Sequence, residues 1–310
     1  MKRLFSRLGP VALLTLSAAA RGESSVNVTI DTDRGVSTCG DVRIRYDHRE
    51  AARSEDSFTM AAIAAPFRAQ LPANSGIFVT GGKRDGFAVT VCKAARHSEG
   101  LEGIRVSPDG SGLAFRGPAV GDWMVFLIVR APRDAALDLE AKNGSIAVHG
   151  TSGRVTVRTT NGPISLEDCS GPLDANAVNG PISLERCSGI GQARAVNGPI
   201  DFSGSRGTYR LDTQNGPISV ALEGDRWDGG KLDAHAVNGP LNLKISDEYR
   251  SGVRVEMLGH GPVSCPSSVC RSARKVWDDD SRTIEFGDSG SDPAVRLSTE
   301  NGPVSVESAD

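Results

Sequence analysis

The eighteen residues from Asn161 to Val178, NGPISLEDCSGPLDANAV, constrain this chain more than any other stretch, because the sequence then repeats them. Asn179 opens NGPISLERCSGIGQARAV, Asn197 opens NGPIDFSGSRGTYRLDTQ, and Asn215 opens NGPISV. Asn143-Gly144 stands eighteen residues before Asn161, so five Asn-Gly pairs share one period. Later turns of the same type fall at Asn238, at His260 (HGPV) and at Asn301. A fixed period of this length marks a repeat architecture, in which each unit buries its apolar face only by stacking on its neighbours.

Within a repeat, two short runs alternate apolar and polar residues. Ile164 and Leu166 share one face of the first run, matched by Ile182 and Leu184, Ile200 and Phe202, and Ile218 and Val220. Leu173, Ala175 and Ala177 share one face of the second, matched by Val155, Val157 and Thr159 and by Tyr209, Leu211 and Thr213. Period-two alternation means strands with one face buried. Asn-Gly punctuates one end of each run and Ser-Gly the other, and both tolerate the backbone of a sharp reversal.

Asn-Gly also signals hairpins, so an antiparallel meander competes. Two observations weigh against it. Pro follows the Gly at positions 163, 181, 199, 217, 240, 262 and 303, removing a donor where a tight hairpin would begin its ladder. Equivalent residues also recur every eighteen positions rather than every nine. If each repeat is one coil, Ile stacks on Ile and Asn on Asn about 4.8 Å apart. The left-handed hexapeptide helix shares this coil length but needs an apolar residue every sixth position, which these offsets do not supply. The expected fold is therefore all-β: a mostly parallel, flattened β-solenoid of eighteen-residue coils preceded by a more irregular β region.

Residues 1–20 read as a secretory signal peptide: a basic head of Lys2, Arg3 and Arg7, an apolar core from Val11 to Leu16, and a small-residue cleavage signal at Ala18 to Ala20. No Cys follows the apolar core, against a lipid-anchored form, and no later run is long enough for a membrane span. Removing the signal moves the formal net charge from −3 to about −6. No basic patch of the kind a nucleic-acid binder carries is present.

Residues 21–130 lack the repeat but contain strand-like runs: VNVTI at 26–30, DVRIRY at 41–46, GIFVT at 76–80 and FAVTVC at 87–92. WMVFLIVRAP, from Trp123, suits a strand covered on both faces. Ala61 to Ala69 resembles a short helix, interrupted by Pro66. The repeat register begins near residue 131 and runs to 310, with an insertion at 264–292. The earlier strands are either a separate domain or irregular coils of the same solenoid.

Six cysteines in an exported chain invite disulfides. Cys265 and Cys270, five apart in a Pro/Ser loop, are expected to bridge locally. Cys169 and Cys187 hold the same place in adjacent coils, which fits either a bridge or a stacked pair of small buried hydrophobes. Cys39 and Cys92 then pair by elimination.

VRAPRDAALDLEAKNGSIAV at 129–148, the repeated NGPI turns and SGIFVTGGKRDGFAVTV at 75–91 resemble a bacterial adhesin-like domain-of-unknown-function family built on NG-rich β-solenoids. The resemblance covers most of the chain after the leader. It implies an exported or envelope-associated protein and carries over no catalytic residue.

Parallel β-helices also include polysaccharide-cleaving enzymes, whose carboxylates converge in a groove. The outward carboxylates here, Glu167, Asp168, Glu185, Asp201 and Asp212, occupy positions that are Ser, Arg, Thr or Gln in other coils, as on solvated strand faces. Histidines at 48, 97, 149, 235 and 260 show no zinc-site spacing, and no GGxGxD calcium repeat occurs. Asp278 to Asp280 read as a solvated loop. Ser165, Ser183, Asp201, Ser219, Asn242 and Ser305 form an outward polar column, read as a soluble strand face. No cofactor or metal is expected.

One asymmetry points further. The excess near Asp225 to Gly230, the lengthening at Ser246 to Ser251 and the insertion from Ser264 to Asp292 all fall at the Ser-Gly-type turn. Insertions at one corner of successive coils stack into one elaborated edge, which here collects Trp227, Tyr249 and Trp277. These rings either form a binding platform or cap the last coil. The expected function is that of an exported, periplasmic or extracellular, non-enzymatic adhesin-like or scaffold protein whose partner is a cell-envelope glycan or protein. The alternatives are a polysaccharide-active β-helix enzyme and an envelope-stress or signalling accessory that binds another protein.

Overall fold

The computed structural model describes residues 26–30, 36–62, 64–119, 122–259, 261–266, 268–271, 273–287 and 292–309. The leader at 1–20 and the turn residue His260 lie outside them. Among the described residues the chain forms a flattened all-β solenoid in which a sheet of 12 strands faces one of 13, flanked by a sheet of 3. Each coil sends one strand into each large sheet. Six coils follow one another in sequence, and numbered along the axis they are coils 3 to 8. Coil 3 is Leu137–Asn143 with Ile146–His149, coil 4 is Val155–Asn161 with Ile164–Glu167, and coil 5 is Leu173–Asn179 with Ile182–Glu185. Coil 6 is Ile190–Asn197 with Ile200–Gly204, coil 7 is Thr208–Asn215 with Ile218–Leu222, and coil 8 is Leu232–Asn238 with Leu241–Ile245.

Strand pairing between these coils is parallel and residue-on-residue. Ile164 pairs with Ile182, Ile182 with Ile200, Ile200 with Ile218, and Ile218 with Leu241. The alternating residues point inward as their period demands: Ile182, Leu184, Ile200, Leu211 and Ile218 are fully buried between the two sheets. A coil therefore completes its core only when a neighbour lies on either side.

The Asn-Gly-Pro turn has a physical basis in the stack. Gly162 N–H donates to Asn179 O at 3.1 Å and Ile164 N–H to Pro181 O at 2.9 Å, so the ladder crosses the turn without needing a donor from Pro. A Cβ on Gly180 would sit 2.1 Å from Gly162 O, so only glycine permits this approach. The Asn side chains form a second ladder. Each donates through Nδ2 to Oδ1 of the Asn in the adjacent coil, at 2.8 to 3.1 Å, from Asn161 on Asn143 through Asn179, Asn197, Asn215 and Asn238 to Asn301. Asn143 in turn donates to Asn74 at 3.3 Å.

Asn74 reveals that the solenoid extends back past residue 131. Phe67–Gln70 and Gly76–Gly82 pair in parallel with the two strands of coil 3 and form coil 2. Coil 1, Gly112–Arg116 with Trp123–Pro132, pairs in parallel on the far side of coil 2. Spatial order thus departs from chain order: the chain makes coil 2, then coil 1, then skips over coil 2 to start coil 3. The same exchange occurs at the other end. Val253–Leu258 with Val263–Ser264 forms the outermost coil 10, and the chain returns to insert coil 9, Val295–Asn301 with Val304–Ser308, between coils 8 and 10. Asn301 accordingly stacks on Asn238.

Antiparallel strands close both ends. Gly86–Ala95 lies on coil 1 and Ala52–Ala61 on Gly86–Ala95, while Arg105–Asp109 borders Gly112–Arg116. The helix-like reading over 61–69 is replaced by the strands Ala52–Ala61 and Phe67–Gln70. At the far end Ser281–Phe286 pairs antiparallel with Val253–Leu258, and Arg274–Trp277 with Ser281–Phe286. The apolar run from Trp123 is covered on both faces as expected. Val125, Leu127, Val129 and Ala131 enter the main core, whereas Met124, Phe126 and Ile128 join a second core with Val42, Ile44 and Tyr46 of the small sheet. The Cys39–Cys92 disulfide, Cα atoms 5.4 Å apart, ties that sheet to strand Gly86–Ala95.

Candidate functional site

The elaborated edge divides into buried and exposed parts. Trp227 is only 6% exposed, its indole N–H donates to Gly207 O at 3.0 Å, and its backbone N–H donates to Ser251 Oγ at 2.9 Å. Its ring centroid lies 6.0 Å from that of Phe202, which lies 5.1 Å from Tyr209. Room for this cluster comes from glycine: Gly191 stands between Leu173 and Tyr209 in the stack, and a Cβ there would meet the Tyr209 ring at 2.6 Å. Tyr249 is 7% exposed, and burial pushes its phenol well above the ordinary range. The three-ring platform is therefore not assembled. Trp227 and Tyr249 fill the corner of the core, because the Phe202 and Tyr209 rings beneath provide apolar surface that a long Gly-rich turn can fold onto.

Trp277 is different. It is 52% exposed. It sits on Arg274–Trp277, the last strand of the larger sheet, two strands beyond coil 10, whereas the smaller sheet ends at Val263–Ser264. Trp277 pairs with Arg282 and Lys275 with Ile284, so by strand alternation Lys275, Trp277 and Arg282 lie on the face that carries the core-facing Ile284. The Arg282 guanidinium lies 6.0 Å from the Trp277 ring centroid and donates to Gly261 O at 3.1 Å. The turn Ser268–Arg271 lies against Val304–Ser308 of coil 9, with Val269 and Cys270 buried and Cys270 bridged to Cys265.

The remaining cysteines are free. Cys169 and Cys187 are buried thiols, which selects the stacked-pair reading over the bridge. Thr151 Oγ1 donates to Cys169 Sγ at 3.4 Å, and the Cys187 thiol donates to Leu166 O at 3.4 Å. Its hydrogen bond to Cys169, together with burial, pushes the Cys187 thiol up.

The outward carboxylates do not converge on a groove. Glu167, Asp168 and Glu185 gather around Arg186 on the smaller sheet, with Arg186 Nε to Asp168 Oδ1 at 2.9 Å and the guanidinium also on Glu167. Asp212, on the larger sheet, pairs with Arg210 at 2.9 Å. Burial raises the Asp201 carboxyl, against a hydrogen bond from Ser219. His149 Nε2 lies 2.9 Å from Asp168 Oδ2, and His149, Glu167 and Asp168 are the one grouping among the described residues with metal-ligand donors in reach of each other. Both carboxylates are already satisfied by Arg186, whose hydrogen bond, ahead of that from His149, holds Asp168 below the usual carboxylate range. A cation would have to displace that guanidinium. Asp168 and Arg186 both adopt left-handed backbone, φ 52° and 49°, at the position that is Gly150 in coil 3, so the corner geometry belongs to the repeat.

No protein-family model and no curated protein matches the chain. Among solved structures it is similar to a "putative adhesin" from Bacteroides fragilis NCTC 9343, at 8% identity and a TM-score of 0.40 over 83% of this chain and 97% of that one. It is similar also to a "putative cell adhesion protein" from Clostridium sporogenes ATCC 15579, at 8% identity and a TM-score of 0.23 over 83% of this chain and 100% of that one. Likenesses at this distance leave the function to be argued from the chain's own residues.

Proposed function

We propose that this chain is an exported, non-enzymatic, adhesin-like binding protein whose C-terminal tip, centred on Trp277, engages a cell-envelope glycan or protein. The observation that carries the reading is the contrast among the edge aromatics. Trp227 and Tyr249 are sequestered, while Trp277 is left half exposed on an overhanging strand with its ring held by Arg282. A large ring fixed in water costs hydrophobic free energy that a partner surface recovers, and tryptophan is among the residues that most often anchor interfaces. Two disulfides support an oxidising compartment, hence export. Outward carboxylates paired with arginines on separate faces support binding rather than acid–base chemistry. Trp227 and Tyr249 serve the site from behind, as the packed corner on which the insertion rests. A pull-down and a glycan array with the protein lacking residues 1–20, beside its Trp277→Ala form, test this. Loss of partners in the variant with an unchanged melting temperature is expected, and equal capture by both forms sinks it.

A further inference from the structure

A second feature lies at the opposite end of the solenoid. In the ladder coils two residues join the two strands, Gly and Ser in coil 3 and Gly and Pro in coils 4 to 9, but five residues separate them in coil 2 (71–75) and six in coil 1 (117–122). Past Asn74, the last rung of the Asn ladder, a cleft of about 390 Å³ is lined by described residues of both coils. Its walls include Gln70, Leu71, Leu113, Phe115, Gly117 and Trp123. We propose that this cleft is a binding subsite for a neutral pyranose unit, independent of the Trp277 tip.

Three observations support the assignment. The first is rigidity. Leu71 N–H donates to Glu140 O at 2.8 Å, and the fully buried Ser75 hydroxyl receives the Val125 N–H at 3.1 Å, so the coil 2 wall is tied to coils 3 and 1. Trp123 Nε1 donates to Pro118 O at 3.1 Å, and its ring packs so closely on Gly117 that a Cβ there would lie 2.1 Å away. The indole is thus fixed with its own donor already used. The second is chemistry. Phe115 and Trp123 supply ring surface, Gln70 is exposed and supplies one amide with both donors and an acceptor, and among the described residues none that lines the cleft is titratable. Such a lining suits a ligand that is uncharged, has apolar C–H faces and bears neighbouring hydroxyls, as a hexopyranose does; the described lining offers a uronate or phosphate no counter-charge. The third is size, which falls in the range of small-molecule clefts, roughly 300 to 1,000 Å³.

Saturation-transfer NMR on the protein lacking residues 1–20 reads this directly. The probes are methyl glucoside, methyl galactoside, methyl mannoside, cellobiose and lactose, with glucuronate and a proline-rich peptide as competitors of other chemistry. Transfer to the ring protons of at least one neutral sugar is expected. It should fall at least about fivefold in Gln70→Ala and in Phe115→Leu, which keeps bulk and removes the ring, and it should persist in Trp277→Ala. Melting temperatures of the variants report on their folding. Silence across the neutral panel, transfer unchanged in both cleft variants, or preference for glucuronate or the peptide each overturns the assignment. Loss of transfer in Trp277→Ala alone would move sugar binding to the tip and overturn it as well.

Discussion

The middle of the solenoid and its two ends are built from the same strands but obey different rules. Coils 3 to 8 lie in sequence order, share two-residue turns and repeat each contact, so Ile200 meets the same environment as Ile182. At each end the coil order is exchanged and antiparallel strands cover the stack; at the N-terminal end the turns also lengthen and a disulfide holds the covering strand Gly86–Ala95, while at the other end a local bridge closes the turn before the covering strands. The middle thus uses identity for cohesion, and the ends give it up. A repeat that stacks on itself indefinitely has no reason to stop, and an exposed coil end offers a parallel edge to any other chain. The departures at the ends are what make the stack finite, and both proposed binding features occur there.

The sharpest way to break the comparison is a charge in the middle. Ile182→Asp places an unpaired carboxylate between Ile164 and Ile200, with no water and no partner, and is expected to cost several kcal/mol, of the order of a whole domain's stability, about 5–15 kcal/mol. Urea unfolding followed by circular dichroism checks it; an unchanged midpoint would mean the stacking is wrong. At the C-terminal end two tryptophans separate the roles. Trp227→Ala should cost about 3–5 kcal/mol by emptying the corner beside Phe202, while Trp277→Ala should remain within about 0.5 kcal/mol. Equal effects on melting temperature would put the two rings in one class. Next, reducing the Cys265–Cys270 bridge should loosen the end and spare the middle. Amide exchange is expected to lose protection over roughly residues 246–292 and keep it over Asn161 to Asn215. Protection lost evenly would show that the end is not a separable unit.

The smallest effect concerns pH. The Asp168 carboxyl is held down by Arg186 and His149, so its folded value lies below the unfolded one, about 3.9. It therefore stabilises the fold above that value, and the contribution is lost as pH falls through the folded value. The group is 42% exposed, so solvent screens the gain to a minor one. Carbon-detected NMR titration should show Asp168 rising toward the ordinary range in Arg186→Gln, with little change in the urea midpoint.

The eighteen-residue period carried the middle completely, because a repeated contact prints itself as a repeated residue. Inward faces, the Asn-Gly-Pro turn and the adjacency of Cys169 and Cys187 were all legible in it. Coil order was not, since any strand with one apolar face can stack on any other, and nothing in Val295–Asn301 marks it for insertion between Leu232–Asn238 and Val253–Leu258. Coils 1 and 2 were hidden because their longer connections lack Asn-Gly, although Asn74, at φ 61°, stood at the matching place. The fates of Trp227 and Trp277 depended on what lay beneath each ring. Gly191, a gap in an otherwise apolar column, was the signal that a large ring would fill the corner. The cleft between coils 1 and 2 left no trace, because it arises from two strands 42 residues apart, counted from Gln70 to Gly112, becoming neighbours.

The exchanged coils also bear on how the stack comes apart. An ordinary solenoid unravels like a rope from its loose tail, each outermost turn peeling away without hindrance from the next. Here coil 10 is outermost but tethered by chain on both sides, and coil 9, nearest the tail, is clamped between coils 8 and 10 in both sheets. Pulling on residue 309 loads hydrogen bonds on both flanks of coil 9 together, as shear rather than as an unzipping front. Coil 2 is clamped in the same way by coils 1 and 3. A protein that held on to a surface under flow would meet tension with its ends locked.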